Sequence, residues 1–388
     1  MGRHRAQFRP PARPADPTGV GQERARAAHS ALPAASPRAS ARSALPAASP
    51  RASVRSALPA ALALATALGG CAVPDSTLAT AGTTGTVETA LGWTVLGVSS
   101  AVVLITWTLV LVASLRARRK PLPAEGLFSA GGGGMTWIMW GGIVLPAIVL
   151  TGLFVFNALA LRALTSPGKP FGANIEVIGH QWWWEVRYFG NSPDQIVTTA
   201  NEIHIPVGEP VRVQLATADV IHSFWVPPLS GKTDLIPGQK NVTWLEAKQP
   251  GIYWGRCGEY CGAEHALMQL RVFADPPAQY SKWLAAQKAP AAPPTTAETR
   301  TGQAIFNGIG CANCHSIGGT PAGGAVGPDL THLMSRSTIA AGSLPLTRGN
   351  LAGWIADAQG LKPGVYMPTM AVKPAQLHAL LAYLETLR

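Results

Sequence analysis

Two long uncharged runs dominate the hydrophobic pattern of the chain. Residues 89–115 hold 27 consecutive uncharged positions rich in Val, Leu, Ile and Trp, more than the roughly 20 that a membrane-spanning helix needs. Arg116, Arg118, Arg119 and Lys120 follow at once, which assigns that end to the cytoplasm by the positive-inside rule. A second uncharged run, residues 126–161, contains WIMWGGIVLPAIVLTGLFVFNALAL and predicts a returning helix kinked at Pro146. The buried core helix of a globular protein is the competing explanation, and neither run is short enough for it. A transmembrane hairpin with both ends outside is therefore expected over residues 71–162.

The pattern then changes period. Between residues 163 and 275, short alternating segments such as ANIEVIGHQWWWEVRY, NEIHIPVGEPVRVQLAT, NVTWLEA and QLRVF are punctuated by Gly and Pro, predicting a small β-barrel or sandwich. PPAQYSKWLAAQ reads as a short helix and the following Pro/Ala/Thr stretch as a semi-rigid linker, together residues 276–298. Residues 299–388 end in PAQLHALLAYLETLR, apolar at Leu377, Leu380, Leu381, Leu384 and Leu387, the spacing of a helix that closes a small helical domain.

Composition changes the picture mainly at the N-terminus. The net charge of +11 invites a nucleic-acid reading, but ten of the arginines lie in residues 1–56 against only Asp16 and Glu23, and the rest of the chain is nearly balanced. That stretch is an Ala/Arg/Pro/Ser repeat, SALPAASPRASAR followed by SALPAASPRASVR, unable to build a core. VRSALPAALALATALGGC has the basic start, apolar run and small residues of a secretory signal. A compact signal would begin at Val54, and the sequence ahead of it reads as an over-extended start. The expected division is residues 1–70 as disordered extension plus signal peptide.

The densest chemistry lies in RCGEYCGAEHALM. Cys257, Glu259, Cys261, His265 and Met268 stand as Cys-x-Glu-x-Cys-x-x-x-His-x-x-Met. A structural zinc wants a closed tetrahedron of four ligands and has no use for the thioether. A mononuclear blue-copper site uses one Cys, so the second thiolate suggests two metals. If both sulfurs bridge two coppers, each copper still needs an imidazole, and His265 supplies only one. His222, in ADVIHSFWVPPL, is the best candidate for the second. His180 and His204 lie in the same region and read as structural histidines.

A second site stands in the C-terminal region. Cys311-Ala-Asn-Cys314-His315 is the Cys-x-x-Cys-His signature of a covalent c-type haem, with His315 as one axial ligand. A methionine opposite raises the reduction potential relative to two nitrogens, and Met367 and Met370 are both available in PGVYMPTM. His332 and His378 read as surface residues.

DVIHSFWVP, KTDLIPG and CGEYCGAEHALM together resemble the CuA domain of subunit II of haem-copper cytochrome c oxidases, and the fused haem segment resembles the caa-type members. The resemblance implies a cupredoxin-like β domain and an all-α cytochrome c domain behind a two-helix membrane hairpin. It implies a dinuclear CuA held by His222, Cys257, the Glu259 carbonyl, Cys261, His265 and Met268, with the Glu259 side chain reaching a magnesium at a partner interface. In GHQWWWEVRY, Trp182 matches the family's point of electron input, and Asp219 matches an acidic residue near the copper. Met367 is favoured over Met370 by the Met-Pro pairing, and Pro328 in GPDL is the residue that orients the haem histidine. Leu68-Gly69-Gly70-Cys71 resembles a lipobox, with Cys71 lipidated. The family's proton-uptake glutamate aligns with Met139, so the resemblance implies no proton-entry carboxylate at that position; Glu125 is nearby but at a different place.

The implied function is an electron-input subunit that passes electrons from a soluble cytochrome c or small copper protein through haem c and CuA to subunit I, with subunit III as a further partner, for oxygen reduction and proton pumping. Nucleic acid is not an expected partner. The implied location is the bacterial plasma membrane, with both redox domains on the outer face. A CuA-type nitric oxide reductase and a membrane-tethered copper carrier are the alternatives. Eight Lys and Arg against eleven Asp and Glu in residues 163–275 suggest a cytochrome domain kept close by its tether without strong steering.

Overall fold

The computed structural model describes residues 76–119, 133–190, 192 and 195–388. The signal segment, Val54, the Cys71 lipidation site, Lys120 and Glu125 lie outside the described residues. Helix α1 spans Thr83–Arg119. The second span begins as a short α-helical turn, Gly133–Trp137, continues as a π-helical stretch, Ile138–Val144, and becomes α2, Leu145–Thr165. Both spans are long and apolar enough to cross a membrane, and they turn Leu104, Trp107, Ile148 and Phe154 outward.

The irregularity expected at Pro146 takes the form of a register change. Proline lacks the N–H that would bond four residues back, and its ring crowds that carbonyl. The turn ahead of it widens instead, with the Leu145 N–H donating to the Trp140 carbonyl five residues back.

The outward ends of the spans are fastened to the β domain. The Thr84 hydroxyl donates to the Leu229 carbonyl at 2.7 Å, and the Thr83 hydroxyl to Glu246 at 2.7 Å. At the end of α2, the Trp244 indole donates to the Leu164 carbonyl at 2.7 Å.

Ten strands follow: β1 Ala173–His180, β2 Trp183–Tyr188, β3 Val197–Ala200, β4 Glu202–Pro206, β5 Val211–Thr217, β6 His222–Val226, β7 Ser230–Leu235, β8 Asn241–Leu245, β9 Gly251–Cys257 and β10 Gln269–Asp275. They form two five-stranded sheets, ordered β3-β2-β1-β5-β8 and β4-β10-β9-β6-β7, so the domain is a cupredoxin-like sandwich. Strand β5 shows why: Val211, Val213 and Leu215 are fully buried while Arg212 and Gln214 face outward, the period-two pattern of a strand with one face on a core. The inner faces meet through Ile175, Val177, Trp184, Ile203, Phe224 and Val272. Strands β6 and β9 are neighbours, with Phe224 opposite Cys257, and this pairing sets His222 beside the metal loop.

Helix α3, Pro277–Gln287, lays Trp283 against His204 at 4.0 Å between ring centres. His204 in turn pairs with Asp275 at 2.7 Å. The C-terminal unit contains α4 Ala297–Gly308, α5 Cys311–Cys314, α6 Arg348–Ala356, α7 Ala358–Leu361 and α8 Pro374–Leu384. Thr296 starts α4 by capping it: its hydroxyl accepts from the Thr299 N–H at 3.1 Å, and the Thr299 hydroxyl accepts from the Thr296 N–H at 3.0 Å.

His332 is not the surface residue its sequence context predicts. It is 7% exposed, with Nδ1 at 2.8 Å from the Arg388 carbonyl and Nε2 at 3.0 Å from the Ala289 carbonyl. It ties the linker to the C-terminus, a role invisible in sequence because both partners are remote backbone. His378 is exposed, as expected.

Helices α4 and α8 cross at Gly302, where an added Cβ would collide with the Ala379 carbonyl and the Tyr383 side chain. The close approach lets Phe306 meet Tyr383 edge to face, with ring centres 6.1 Å apart. Replacing Gly302 by Ala is expected to destabilise the C-terminal unit by about 1–3 kcal/mol through overpacking. Thermal unfolding followed by haem absorbance should fall in midpoint while the β domain's transition stays in place.

Candidate metal centre and C-terminal crevice

The metal loop is built where β9 ends and before β10 begins. Cys257 closes β9, and residues 258–268 fold back over the sandwich edge through the short 3-10 turn His265–Leu267. Gly262 adopts φ +118°, a left-handed value that favours glycine. A Cβ there would also press into the Trp182 ring, 2.9 Å from Cζ2. The loop therefore closes only with glycine at this point.

The sulfurs, imidazoles and thioether converge. Cys257 Sγ lies 3.9 Å from His222 Nδ1 and 3.1 Å from the Glu259 carbonyl oxygen. Cys261 Sγ lies 3.6 Å from His265 Nδ1 and 3.8 Å from Met268 Sδ. The ligand atoms of His222, Cys257 and Cys261 all fall within 4.8 Å of one another. His222 and Met268 are completely buried, and the two cysteines nearly so. Among the described residues, no other group of three His, Cys, Asp or Glu side chains converges in this way.

Electrostatics mark the pair as a cation receptor. Cys257 is pulled well below the ordinary thiol range, first by the S–H that Cys261 offers it and then, against burial, by His222 and backbone donors. Cys261 is pushed well above that range by the same neighbour and by burial. Both thiols must lose their protons to ligate, so a cation that binds the two sulfurs releases protons as it loads. Burial opposes charge on His222, yet Asp219 and Cys257 raise its pKa. Asp219 sits 2.7 Å from His222 Nε2 and also accepts from the Gln181 N–H at 2.7 Å. With Nε2 committed to the carboxylate, Nδ1 is the nitrogen turned toward the sulfurs. Two thiolates, two imidazoles, a thioether and a carbonyl in a dry pocket suit copper.

The remaining sequence candidates fall into other roles. His180 pairs with Glu185 at 3.0 Å and stacks on Trp183. The Glu259 carboxylate, 45% exposed, pairs with Lys232 at 2.9 Å. Met139 lies in the π-helical stretch of the second span.

Trp182 joins this centre to a crevice in the C-terminal unit. Its indole N–H donates to the Cys261 carbonyl at 3.0 Å, and Gln181 Nε2 donates to the same oxygen at 2.7 Å. Trp182 is 8% exposed and lines the crevice that also contains Cys311, Cys314, His315, Met367 and Met370. His315 Nδ1 lies 2.7 Å from the Pro328 carbonyl, and burial lowers its pKa. It is thus a neutral imidazole with Nε2 left free to ligate. Arg336 also lines the crevice, and its buried Nε has no partner within the protein. A haem carboxylate is the group that satisfies such an orphan. The apolar walls and the paired thiols make the crevice fit a covalent haem.

Two family sequence models match the chain: "Cytochrome C oxidase subunit II, periplasmic domain" over residues 173–274 and "Cytochrome c" over residues 299–388. Cytochrome c oxidase subunit 2 of Alkalihalophilus pseudofirmus is 35% identical over 295 residues, covering 75% of this chain and 84% of that protein. The chain belongs to the cytochrome c oxidase subunit 2 family. The same subunit of Bacillus sp. strain PS3 is 32% identical over 270 residues, 65% of this chain and 74% of the relative. The crystal structure of the periplasmic domain of subunit II from Bradyrhizobium japonicum is 30% identical, covering 31% of this chain and 96% of that one, with a TM-score of 0.29.

As a cytochrome c oxidase subunit 2 family member, the chain is an electron-input subunit of a haem-copper oxidase, an oxidoreductase, and works with subunit I. Its two redox domains imply CuA copper and haem. Two of the residues that shape the site were not singled out by sequence: Gln181, beside Trp182 in GHQWWWEVRY, and Arg336, in no motif, acquire meaning only from the oxygen or cavity they face. Asp219 orients His222 from outside the ligand set, so Asp219→Asn is expected to weaken copper binding about 10–100-fold. Competition with a chromophoric chelator measures this, and the haem spectrum should not change.

Proposed function

We propose that His222, Cys257, the Glu259 carbonyl, Cys261, His265 and Met268 hold a dinuclear CuA, and that Cys311, Cys314, His315 and Met367 hold haem c. When bound, the two groups supply one-electron chemistry, taking electrons from a soluble cytochrome c or small copper protein at the haem and delivering them from CuA to subunit I, where oxygen is reduced and protons are pumped. The protein's part is to keep both sites dry, fixed and close. His222 is oriented by Asp219, His315 by Pro328, and the Cys261 carbonyl by Trp182 and Gln181. Met367 packs against the hydrophobic core of the C-terminal unit, which supports it over Met370 as the second axial ligand.

The carrying observation is the position of Trp182, hydrogen-bonded to the carbonyl of one candidate copper cysteine while its ring walls the haem crevice. We assign it the internal electron-input role between the two sites. The Glu259 carboxylate is committed to Lys232, so a magnesium shared with a partner subunit is not part of this reading.

In this reading residues 71–162 are the membrane hairpin, preceded by a signal peptide over residues up to 70 and anchored by lipid at Cys71. Residues 163–275 are the CuA domain, 276–298 the linker and 299–388 the cytochrome domain. Both redox domains face the outer side of a bacterial plasma membrane, and subunit III joins the complex.

Oxygen uptake by the purified complex, fed by reduced cytochrome c, tests the assignment; nitric oxide turnover without oxygen uptake would replace the terminal acceptor. His222→Ala is expected to abolish the mixed-valence copper resonance and oxygen uptake while leaving the haem c absorbance intact. An unchanged copper spectrum in that variant would overturn the ligand set.

A further inference from the structure

The cytochrome unit lies on the sandwich through two buried charged side chains, one from each side, each satisfied by several polar groups. Glu202, at the start of β4, is 3% exposed. Its Oε1 accepts from the Ser337 N–H at 2.7 Å, the Ser337 hydroxyl at 2.6 Å and the Thr338 N–H at 3.1 Å. All of these donors belong to the cytochrome unit. In the opposite direction, Lys362 of the cytochrome unit is 2% exposed. Its ammonium donates to the Trp182 carbonyl at 2.9 Å and the Leu267 carbonyl at 2.8 Å. Burial lowers its pKa to about 8, which keeps the ammonium the major form at neutral pH.

These contacts touch the redox machinery on both sides. Leu267 precedes Met268, Trp182 bonds to Cys261, and Lys362 lies five residues before Met367. The loop beside them is shaped for this contact. Ala340 and Ala341 hold φ of 53° and 55° and Gly342 holds 80°, a left-handed run that two alanines adopt only when neighbouring structure over-determines it. The Ala341 carbonyl accepts from the Gln269 N–H at 3.0 Å, at the start of β10, and Ala340 turns its carbonyl toward Lys362.

A buried carboxylate and a buried ammonium are costly without partners. A docking orientation that covered either ion away from these donors or acceptors would leave it buried and unpaired, so the two ions act against such arrangements. A loosely tethered domain that docks and leaves needs no such saturation. We propose that Lys362 and Glu202 are positioning residues of an interdomain lock that holds the haem crevice on Trp182 in one standing orientation, so that electrons cross within a permanently docked pair. The redox half of this statement rests on the ligand assignments above; the docking half rests on the contacts alone.

The test uses the full-length chain in its complex, with a protease site inserted in the linker between Ala291 and Pro294. After cleavage, the parental cytochrome fragment is expected to stay bound through gel filtration, and the fragments of Lys362→Met and Glu202→Gln to be released. Flash reduction of the uncut proteins reads the haem-to-copper rate. The parental rate should not depend on solvent viscosity, whereas in each variant it should drop about tenfold or more and become viscosity-dependent, with haem and copper spectra unchanged. Release of the parental fragment would overturn the lock, as would variants that retain their fragments and transfer at the parental rate. Should Lys362→Met fail to fold, Glu202→Gln decides by the same readouts. Missing copper or haem spectra in the parent would instead overturn the ligand assignments, a failure that fragment retention does not share.

Discussion

Two buried sulfurs brought within 4.8 Å of each other and of the His222 imidazole set the terms for the β domain. Cys257 and Cys261 stand four residues apart with nearly all their surface removed from water, and the neighbours of Cys257 pull its thiol toward the charged form. Such a charge is tolerable only with a fixed set of compensating dipoles or a cation. The surrounding structure supplies the dipoles: His222 from β6, backbone donors at Ser223, and Asp219 behind the imidazole. Copper, which the family implies, would supply the cation, and its loading would be coupled to proton release.

The same requirement explains why the site sits on a sandwich and not on a free loop. The β6–β9 pairing fixes His222 and Cys257 relative to each other, while residues 258–268 bring in the remaining donors. A centre that changes charge repeatedly benefits from ligands that do not move, and rigid sheets hold such ligands better than loops do. The rigidity extends toward the membrane, because Thr83, Thr84 and Trp244 join the ends of the hairpin to the strands through hydrogen bonds.

What could be read from sequence was whatever is local or periodic. The spans were legible as uncharged runs, β5 as an alternation, and the metal loop as soft donors at short spacing. The haem pair was legible as a motif whose chemistry fixes its own spacing. What stayed hidden depends on remote partners. His332 looks like any surface histidine until the Arg388 and Ala289 carbonyls close on it. Lys362 sits in an unremarkable Gly-Leu-Lys-Pro stretch, and its acceptors at Trp182 and Leu267 lie 180 and 95 residues away. The charge count of the β domain could not show that Glu202 is buried against Ser337 and Thr338 of the C-terminal unit, because a count averages over a surface. Pro146 announced a break but not that a π-helical turn would absorb it.

The burial of Trp182 also decides where an outside reductant makes contact. In a subunit without a fused haem domain, an indole bonded to the copper loop is useful to an external donor only if its ring faces solvent. Here the ring is 8% exposed and covered by this chain's own C-terminal unit. The covering surface is held by saturated polar groups that have no better arrangement elsewhere. In the proposed electron route, an external donor would therefore meet the chain on the haem side of the crevice, around exposed residues such as Val326 and Tyr366. On that reading Trp182 serves an internal contact, and specificity for the donor would rest with the cytochrome domain.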